Sequence, residues 1–310
     1  MEARFVRINR SPIPTGIDKI DAKDILNGGL GKGEIGVITA PTGVGKSHML
    51  VNLGCAAIRN GFNVIHYTFE LTETATGLRY DSNLCQIPSN QVPERKEEVI
   101  EYYKENGENL GKLMIKEYPT GTATVQTLRS HIEKLSLKGF IPQVLIIDYA
   151  DIMRSSRQYD SMRHELKKVY EDLRNLAMEK NLPIWTASQS NRDSANSDIV
   201  GLENMAESYG KAQVADVVIS ISRKPAEKAE GFGRLYIAKN RAGRDGIVFP
   251  VKLNTAMSKF SILENSEEMS FMEAKKKNEG DLKALLQKKW KQVSKVEVKS
   301  NNNEKEEGES

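Results

Sequence analysis

The sequence is nearly without cysteine. Cys55 and Cys85 are the only two in 310 residues, too few and too isolated for a disulfide framework or a cysteine-built zinc site. No apolar run comes near the roughly 18 residues that a membrane-crossing helix needs. No apolar signal region follows Met1-Glu2-Ala3-Arg4-Phe5. Internal repeats are absent. A strong charge of one sign is missing as well, since the net charge is only +3. That small value hides an uneven distribution. Residues 273–300 hold nine lysines against four acids, residues 301–310 carry −3, and residues 1–272 carry about +1. A nearly neutral body does not announce a nucleic-acid partner by charge, so phosphate contacts must come from local clusters. With 39% hydrophobic residues there is enough apolar material for a sizeable core. These absences together lead us to expect a soluble, cytoplasmic protein.

What is present is organised around Ala40-Pro41-Thr42-Gly43-Val44-Gly45-Lys46-Ser47. An apolar run, Ile35 to Thr39, precedes it, and a helical pattern runs from Ser47 to about Arg59. Strand, glycine-bearing loop and helix is the context a phosphate-binding P-loop requires. The loop and the helix N-terminus offer N–H groups with no intrahelical partner, and the helix dipole favours an anion there. Gly43 and Gly45 allow close backbone approach. Lys46 is placed to reach the β- and γ-phosphates, and the Ser47 hydroxyl to ligate Mg²⁺. Pro41, Thr42 and Val44 complete the nucleotide-binding loop. One departure from the G-x-x-x-x-G-K-[ST] pattern is Ala40, where glycine is usual.

Along the chain, residues 1–30 read as an arm or linker, with one short helix expected over Ile17 to Leu26. It could pack on its own domain or on a neighbouring subunit. Residues 31–264 read as one α/β domain. Strands are expected at 63–69, 112–118, 144–148, 183–189 and 216–221, with helices at 72–84, 125–138 and 161–179. Residues 93–106 read as a helical surface insertion, and Thr72 as an N-cap. The run Val144-Leu145-Ile146-Ile147-Asp148 has the signature of a central parallel strand buried on both faces. Three more β runs, at 233–238, 247–253 and 259–263, follow without helices. The pattern therefore predicts a mainly parallel sheet flanked by helices, with an antiparallel extension. In such sheets ligands bind beyond the carboxyl ends of the strands. Ala40, Glu70, Asp148 and Gln189 all fall at such ends. Residues 265–295 read as a basic helical extension with an amphipathic helix at 281–293, and 296–310 as a disordered tail.

Asp148 suits a metal-supporting acid, and Glu70 a general base that polarises water. Gln189 suits a sensor of the terminal phosphate. The ordered motifs Thr15-Gly16-Ile17-Asp18, Phe69-Glu70-Leu71, Leu145 to Tyr149, Ala187 to Arg192, Ala215 to Val218 and Ile237-Ala238-Lys239-Asn240-Arg241 sharpen these roles. With the P-loop they resemble the RecA-like ATPase domain of DnaB-family replicative helicases, most closely tailed-phage members. That family often carries alanine at the first P-loop position. The resemblance implies a RecA-like P-loop NTPase core that uses ATP and Mg²⁺ in a homo-oligomeric, hexameric ring on single-stranded DNA. It implies that Ser47 and Asp148 support the metal, Glu70 activates water, and Gln189 links the γ-phosphate to a DNA loop. Arg241 would act as a finger in a neighbour's site, with Lys239 beside it. Arg154, Arg157, Arg163, Arg192 and Lys211 would grip DNA. Lys211 is the substitute candidate, because Ala206 stands where many relatives carry arginine before the pair matching Glu207-Ser208.

Primase or a helicase loader is the implied protein partner. Full members also carry a helical collar, whereas this chain starts almost directly at the ATPase domain. A native single-domain form and a fragment both stay open. So do two other readings of function, a RecA-type recombinase filament and a nucleotide-dependent module that does not translocate.

Overall fold

The computed structural model describes residues 10–264, apart from 192–193, 195–196 and 206–208. The expected amphipathic helix at 281–293 and the tail lie outside the described residues. The described residues up to Ile262 form one compact unit.

Its frame is a nine-stranded sheet. The strands are β1 (Ile35–Ala40), β2 (Val64–Thr68), β3 (Leu113–Glu117), β4 (Val144–Asp148), β5 (Ile184–Gln189), β6 (Val217–Ser222), β7 (Phe232–Asn240), β8 (Val248–Asn254) and β9 (Lys259–Ile262). Their order is β3-β2-β4-β5-β1-β6-β7-β8-β9. β1 through β6 pair in parallel, while β7, β8 and β9 are antiparallel. The expected mixed sheet is thus present. The parallel part is built by helical crossovers: α1 (Lys46–Arg59), α2 (Glu73–Cys85), α3 (Lys96–Asn106), α4 (Val125–Leu137), α5 (Met162–Lys180) and the short α6 (Tyr209–Val214). A further short helix, α7 (Pro225–Ala229), leads into β7.

Alternation along the central strands divides the core in two. Val144 and Ile146 join the cluster that contains α1, while Leu145 and Ile147 join the cluster under α4 and α5. Both faces are covered, which is why β4 reads as a continuous apolar run. β1 is pressed still closer to its neighbour. A Cβ on Gly36 would lie 2.3 Å from the Trp185 ring on β5, so only glycine lets that ring lie flat across the strand.

Helix ends follow local chemistry. Thr72 caps α2 by accepting a 3.1 Å bond from the Ala75 N–H. Thr124 and Thr127 form a reciprocal capping box at the start of α4. The helix expected over Ile17 to Leu26 does not form; that stretch is a series of tight turns. The Asp21 carboxylate accepts from the Thr15 and Gly16 N–H groups at 2.9 and 3.1 Å, and the Gly28 N–H bonds back to the Asp21 carbonyl at 2.8 Å. These contacts wind the chain back on itself, and side-chain acceptors of this kind compete with helix. The arm nevertheless contributes Ile13, Ile17, Ile20, Leu26 and Leu30 to the α1-side core.

β8 and β9 are tied down over α1 and α2. Asn52 accepts from the Phe260 N–H at 3.1 Å, Asn83 donates to the Ser258 carbonyl at 2.8 Å, and Ser82 donates to the Ala256 carbonyl at 2.8 Å. The 255–258 turn therefore overhangs the loop that leaves β1.

His66 on β2 is fully buried, with Nδ1 2.9 Å from the Tyr80 hydroxyl, and burial pushes its pKa down to about 3. The unfolded chain takes up this proton below about pH 6.5 and the fold does not. The group's contribution to stability is therefore present above about pH 6.5 and lost as pH falls toward 3. Urea unfolding of the wild type should lose about 1.4 kcal/mol per pH unit between pH 6 and 4 relative to His66→Asn. Equal slopes for the two proteins would contradict a neutral His66 in the fold.

Candidate active site

β1 leaves the sheet at Ala40 and α1 begins at Lys46. The chain between them turns through Gly43 at φ 70° and Gly45 at φ 127°, which side-chain-bearing residues rarely adopt. A Cβ on Gly45 would also lie 2.8 Å from Leu253 of β8. Gly45 is the N-cap of α1 and offers no side chain, and the first turn of α1 holds no acid. The leading amides of α1 are thus uncapped and face a cleft, the condition for binding a phosphate.

The cleft has a volume of about 360 Å³ and is lined by Thr42 to His48, Glu70, Leu71, Arg79, Tyr149, Gln189, Arg223, Lys228 and Thr255. Every expected residue of the nucleotide loop from Thr42 to Ser47 is at its wall. Lys46 Nζ bonds back to the carbonyls of Ala40 and Pro41 at 3.2 and 3.3 Å. Burial lowers its pKa, while Glu70, Asp148 and Asp151 push it up again. The cation is held by neutral acceptors only, and an anionic oxygen would be a stronger partner.

Asp148 ends β4 beside it and is 1% exposed. Burial raises its pKa to about 6, opposed by a hydrogen bond from Ser47 and by the Arg79 and Lys46 charges. Its Oδ1 has no hydrogen-bond partner. A buried carboxylate oxygen without a donor, next to a hydroxyl, is the donor set a hard divalent cation takes. Ser47 and Asp148 therefore fit a Mg²⁺ ion. Among the described residues no cluster of three or more His, Cys, Asp or Glu is placed to hold a metal ion.

Glu70 stands exposed at the mouth, two residues beyond β2. Gln189 ends β5, and its amide donates to Thr42 Oγ1 at 2.7 Å. Adjacent order in the sheet brings β2, β4, β5 and β1 to one edge, so Glu70, Asp148, Gln189 and the loop after Ala40 converge as their strand-end positions implied. Arg79 was not among the sequence candidates. It sits on α2 between buried Thr76 and Tyr80 and carries its charge into the cleft near Asp148 and Glu70. An arginine on the inward face of an amphipathic helix was the available signal. His48 and Thr255 were also unforeseen; His48 Nδ1 lies 2.8 Å from Ser258 Oγ in the overhanging turn.

Arg241 and Lys239 lie at the opposite edge of the sheet. The Asp216 carboxylate, just before β6, accepts from the Ile35 N–H at 3.0 Å at the start of β1. It also accepts from Arg174 at 2.8 Å and from Arg241 at 3.0 Å. The six residues of β1, about 20 Å of strand, separate this edge from the phosphate loop. Arg241 donates to the Gln213 carbonyl at 2.6 Å as well, and its side chain stays 44% exposed. Lys239, expected beside Arg241 as a catalytic cation, donates its ammonium to the carbonyls of Ala212, Gln213 and Ala215 at 2.6, 3.2 and 2.7 Å. Its three donors are spent closing the C-terminus of α6.

Of the expected DNA contacts, Arg154, Arg157 and Arg163 are exposed on the segment after β4 and at the start of α5. Arg192 lies outside the described residues, as do Ala206, Glu207 and Ser208. Lys211 requires a correction. It is 0% exposed and pairs with Asp151 Oδ2 at 2.9 Å, so it offers no surface to DNA. Its place on α6, facing α5 and β5, buries it. No helix among the described residues is long and apolar enough to cross a membrane.

Comparison with known proteins matches residues 12–262 to the DnaB-like helicase C terminal domain family. The DnaB-like replicative helicase of Enterobacteria phage T4 is 31% identical over 207 residues, which cover 64% of this chain and 43% of the relative. The chain spans about half the length of the curated relatives it matches. Among solved structures, one ATPase domain superposes with a TM-score of 0.70 at 18% identity, covering 85% of this chain and 95% of that one. A DnaB-like replicative helicase, described with its interactions with primase, gives 0.71 at 18% identity, covering 85% and 64%. The fold is therefore the RecA-like ATPase core.

The cleft makes a direct demand on Lys46. Lys46→Ala should weaken binding of a fluorescent nucleoside triphosphate about 100-fold or more, because a charge-assisted bond to phosphate is lost in a partly dry site. Its melting temperature should hold or rise, since a desolvated cation without an ion-pair partner is removed. Retained affinity would rule out Lys46 as the phosphate cation.

Proposed function

The chain belongs to the DnaB-like helicase C-terminal domain family, and on that premise we propose that it is the ATP-hydrolysing motor of a ring-forming DNA helicase. The observation that carries this reading is the division of charge between two edges. The phosphate cradle, Glu70 and Asp148 stand at one edge of the sheet, and Arg241 stands partly exposed at the other. An arginine about one strand length away cannot serve its own nucleotide; in a head-to-tail ring it meets a neighbour's.

In the proposed cycle the triphosphate lies on the uncapped amides of α1, and Lys46 exchanges its backbone carbonyls for β- and γ-phosphate oxygens. Bound Mg²⁺, held by Ser47 and Asp148, would neutralise part of the phosphate charge. Glu70 accepts a proton from water as its oxygen bonds to the γ-phosphorus and the bond to the β-bridging oxygen breaks, leaving ADP and phosphate. Arg241 of the adjoining subunit stabilises the charge that develops on the transferring group. Gln189, bonded to Thr42 at the cleft wall, is the group that would exchange partners when a γ-phosphate arrives.

Arg154, Arg157 and Arg163 would face single-stranded DNA in the ring channel, with contacts to phosphates that are independent of sequence. The partners of the whole assembly would be DNA, further copies of this chain in a hexamer, and primase or a loader, working in the cytoplasm where the replication fork is. Against the recombinase reading stands the family match.

Two measurements test the proposal. ATPase rate should rise with single-stranded DNA, and a forked duplex should be unwound; strand exchange without unwinding would favour the recombinase, and no response to DNA would favour the non-translocating module. Separately, Arg241→Ala should retain ATP binding yet lose about 10³-fold in turnover, the scale of an arginine finger. Mixing Arg241→Ala with Lys46→Ala should restore some ATPase activity, because one interface then carries both native groups. Mixed assemblies, verified by native mass measurement, that stay as inactive as either parent would refute the trans-acting Arg241.

A further inference from the structure

Asp151 sits three residues beyond Asp148, in the turn that leaves β4, and its carboxylate is a junction. Oδ2 accepts from the Gln189 N–H at 3.1 Å and from the Ser188 hydroxyl at 3.0 Å, and pairs with Lys211 Nζ at 2.9 Å. Oδ1 accepts from the Tyr170 hydroxyl of α5 at 2.8 Å. Lys211 also donates to Ser188 Oγ at 3.3 Å and stands 5.9 Å above the Tyr170 ring. The lysine is 0% exposed and the aspartate side chain 11%. Removing two charges from water in this way is costly, and an apolar pair of similar size could fill the space. What the ion pair supplies instead is direction, since each donor must meet one oxygen.

The contacts continue beyond the junction on both sides. On one side, Gln189 reaches Thr42 of the phosphate loop at 2.7 Å. On the other, Lys211 belongs to α6, a helix of only six residues. The carbonyls at the end of α6 are those that hold the cations of the far edge. Gln213 accepts from Arg241 at 2.6 Å, Ala212 and Ala215 accept from Lys239 at 2.6 and 2.7 Å, and Val214 accepts from Arg174 at 2.7 Å. Gln189 therefore connects to Arg241 through two hydrogen bonds, one ion pair and the short stretch of α6 backbone between Lys211 and Gln213.

We propose that the buried Asp151–Lys211 pair positions Arg241: it anchors α6 to the strand end that carries Gln189, and so holds in place the carbonyls against which that subunit's arginine is presented to the next site. Neither residue touches nucleotide in this scheme, and both act as positioning residues. The inference rests on the trans-acting role of Arg241 proposed above.

The experiment uses the chain in full and separates the finger from its own subunit's cleft. Arg241→Ala subunits supply the nucleotide site. The finger is supplied by Lys46→Ala subunits, with or without the added pair Asp151→Asn and Lys211→Met, which removes both charges while keeping their shapes. Both donors have a dead site of their own, so restored ATPase activity reports only how well Arg241 is presented. Mixed assembly is confirmed by native mass measurement. With the pair removed, kcat of the restored activity should fall about tenfold, within the usual range of coupling between sites. KM for ATP should stay within about twofold, because the nucleotide cleft belongs to the other subunit. Equal kcat with the two donors would overturn the proposal, and so would a loss carried by KM. If the donor without the added pair restores nothing, the trans-acting reading itself fails and this inference falls with it. Should the triple variant fail to fold or assemble, the neutral pair Asp151→Asn with Lys211→Gln on Lys46→Ala takes its place, with the same outcomes deciding.

Discussion

The Asp216 carboxylate is the point on which the parallel part of the fold closes. It is buried, and its two oxygens receive the first N–H of β1, the guanidinium of Arg174 from α5, and that of Arg241 after β7. A buried anion is tolerated only when its lone pairs are filled by charged or backbone donors. Here the Ile35 N–H and Arg174 meet on Oδ2 and fix the start of the central strand against a helix, while Arg241, 44% exposed, adds an outer contact on Oδ1. With the start of β1 fixed, its other end, and hence the phosphate loop, is fixed as well.

At that other end the electrostatics are left incomplete. Lys46 rests on two carbonyls, Asp148 keeps one oxygen without a donor, and α1 begins without a cap. Each is a local cost that a well-satisfied interior would avoid. Together they describe the complement of a ligand that brings anionic oxygens and a cation at once. The same contrast separates Lys211 and Lys239 from the loop arginines. Lys211 and Lys239 have their donors filled inside the protein, whereas Arg154, Arg157 and Arg163 remain open to solvent.

Much of this was legible in the sequence, because the informative features were local. The strand ends at Ala40, Asp148 and Gln189 followed from apolar runs of strand length, and the antiparallel extension from β runs without intervening helices. The turns over Ile17 to Leu26 were not legible. They depend on the Asp21 side chain competing with helix for backbone N–H groups, which apolar spacing does not register. The burial of Lys211 was hidden for another reason. Its partner, Asp151, is sixty residues away, and a lysine in a polar segment reads as solvated until the sheet order brings β4, β5 and α6 together. The partners of Lys239 and Arg241 were not legible either: α6 and the residue after it take the whole ammonium of Lys239, while Arg241 divides between the Gln213 carbonyl and Asp216 and stays partly exposed.

The distance between the phosphate loop and Arg241 has a consequence for how the proposed motor is switched on. Each chain carries both halves of the machinery and holds them apart along the length of β1. A lone chain can then load nucleotide without consuming it efficiently. Turnover per molecule should climb with protein concentration and saturate once rings are closed. Dilution acts as a brake, and fuel is spent only where enough copies have gathered to do work.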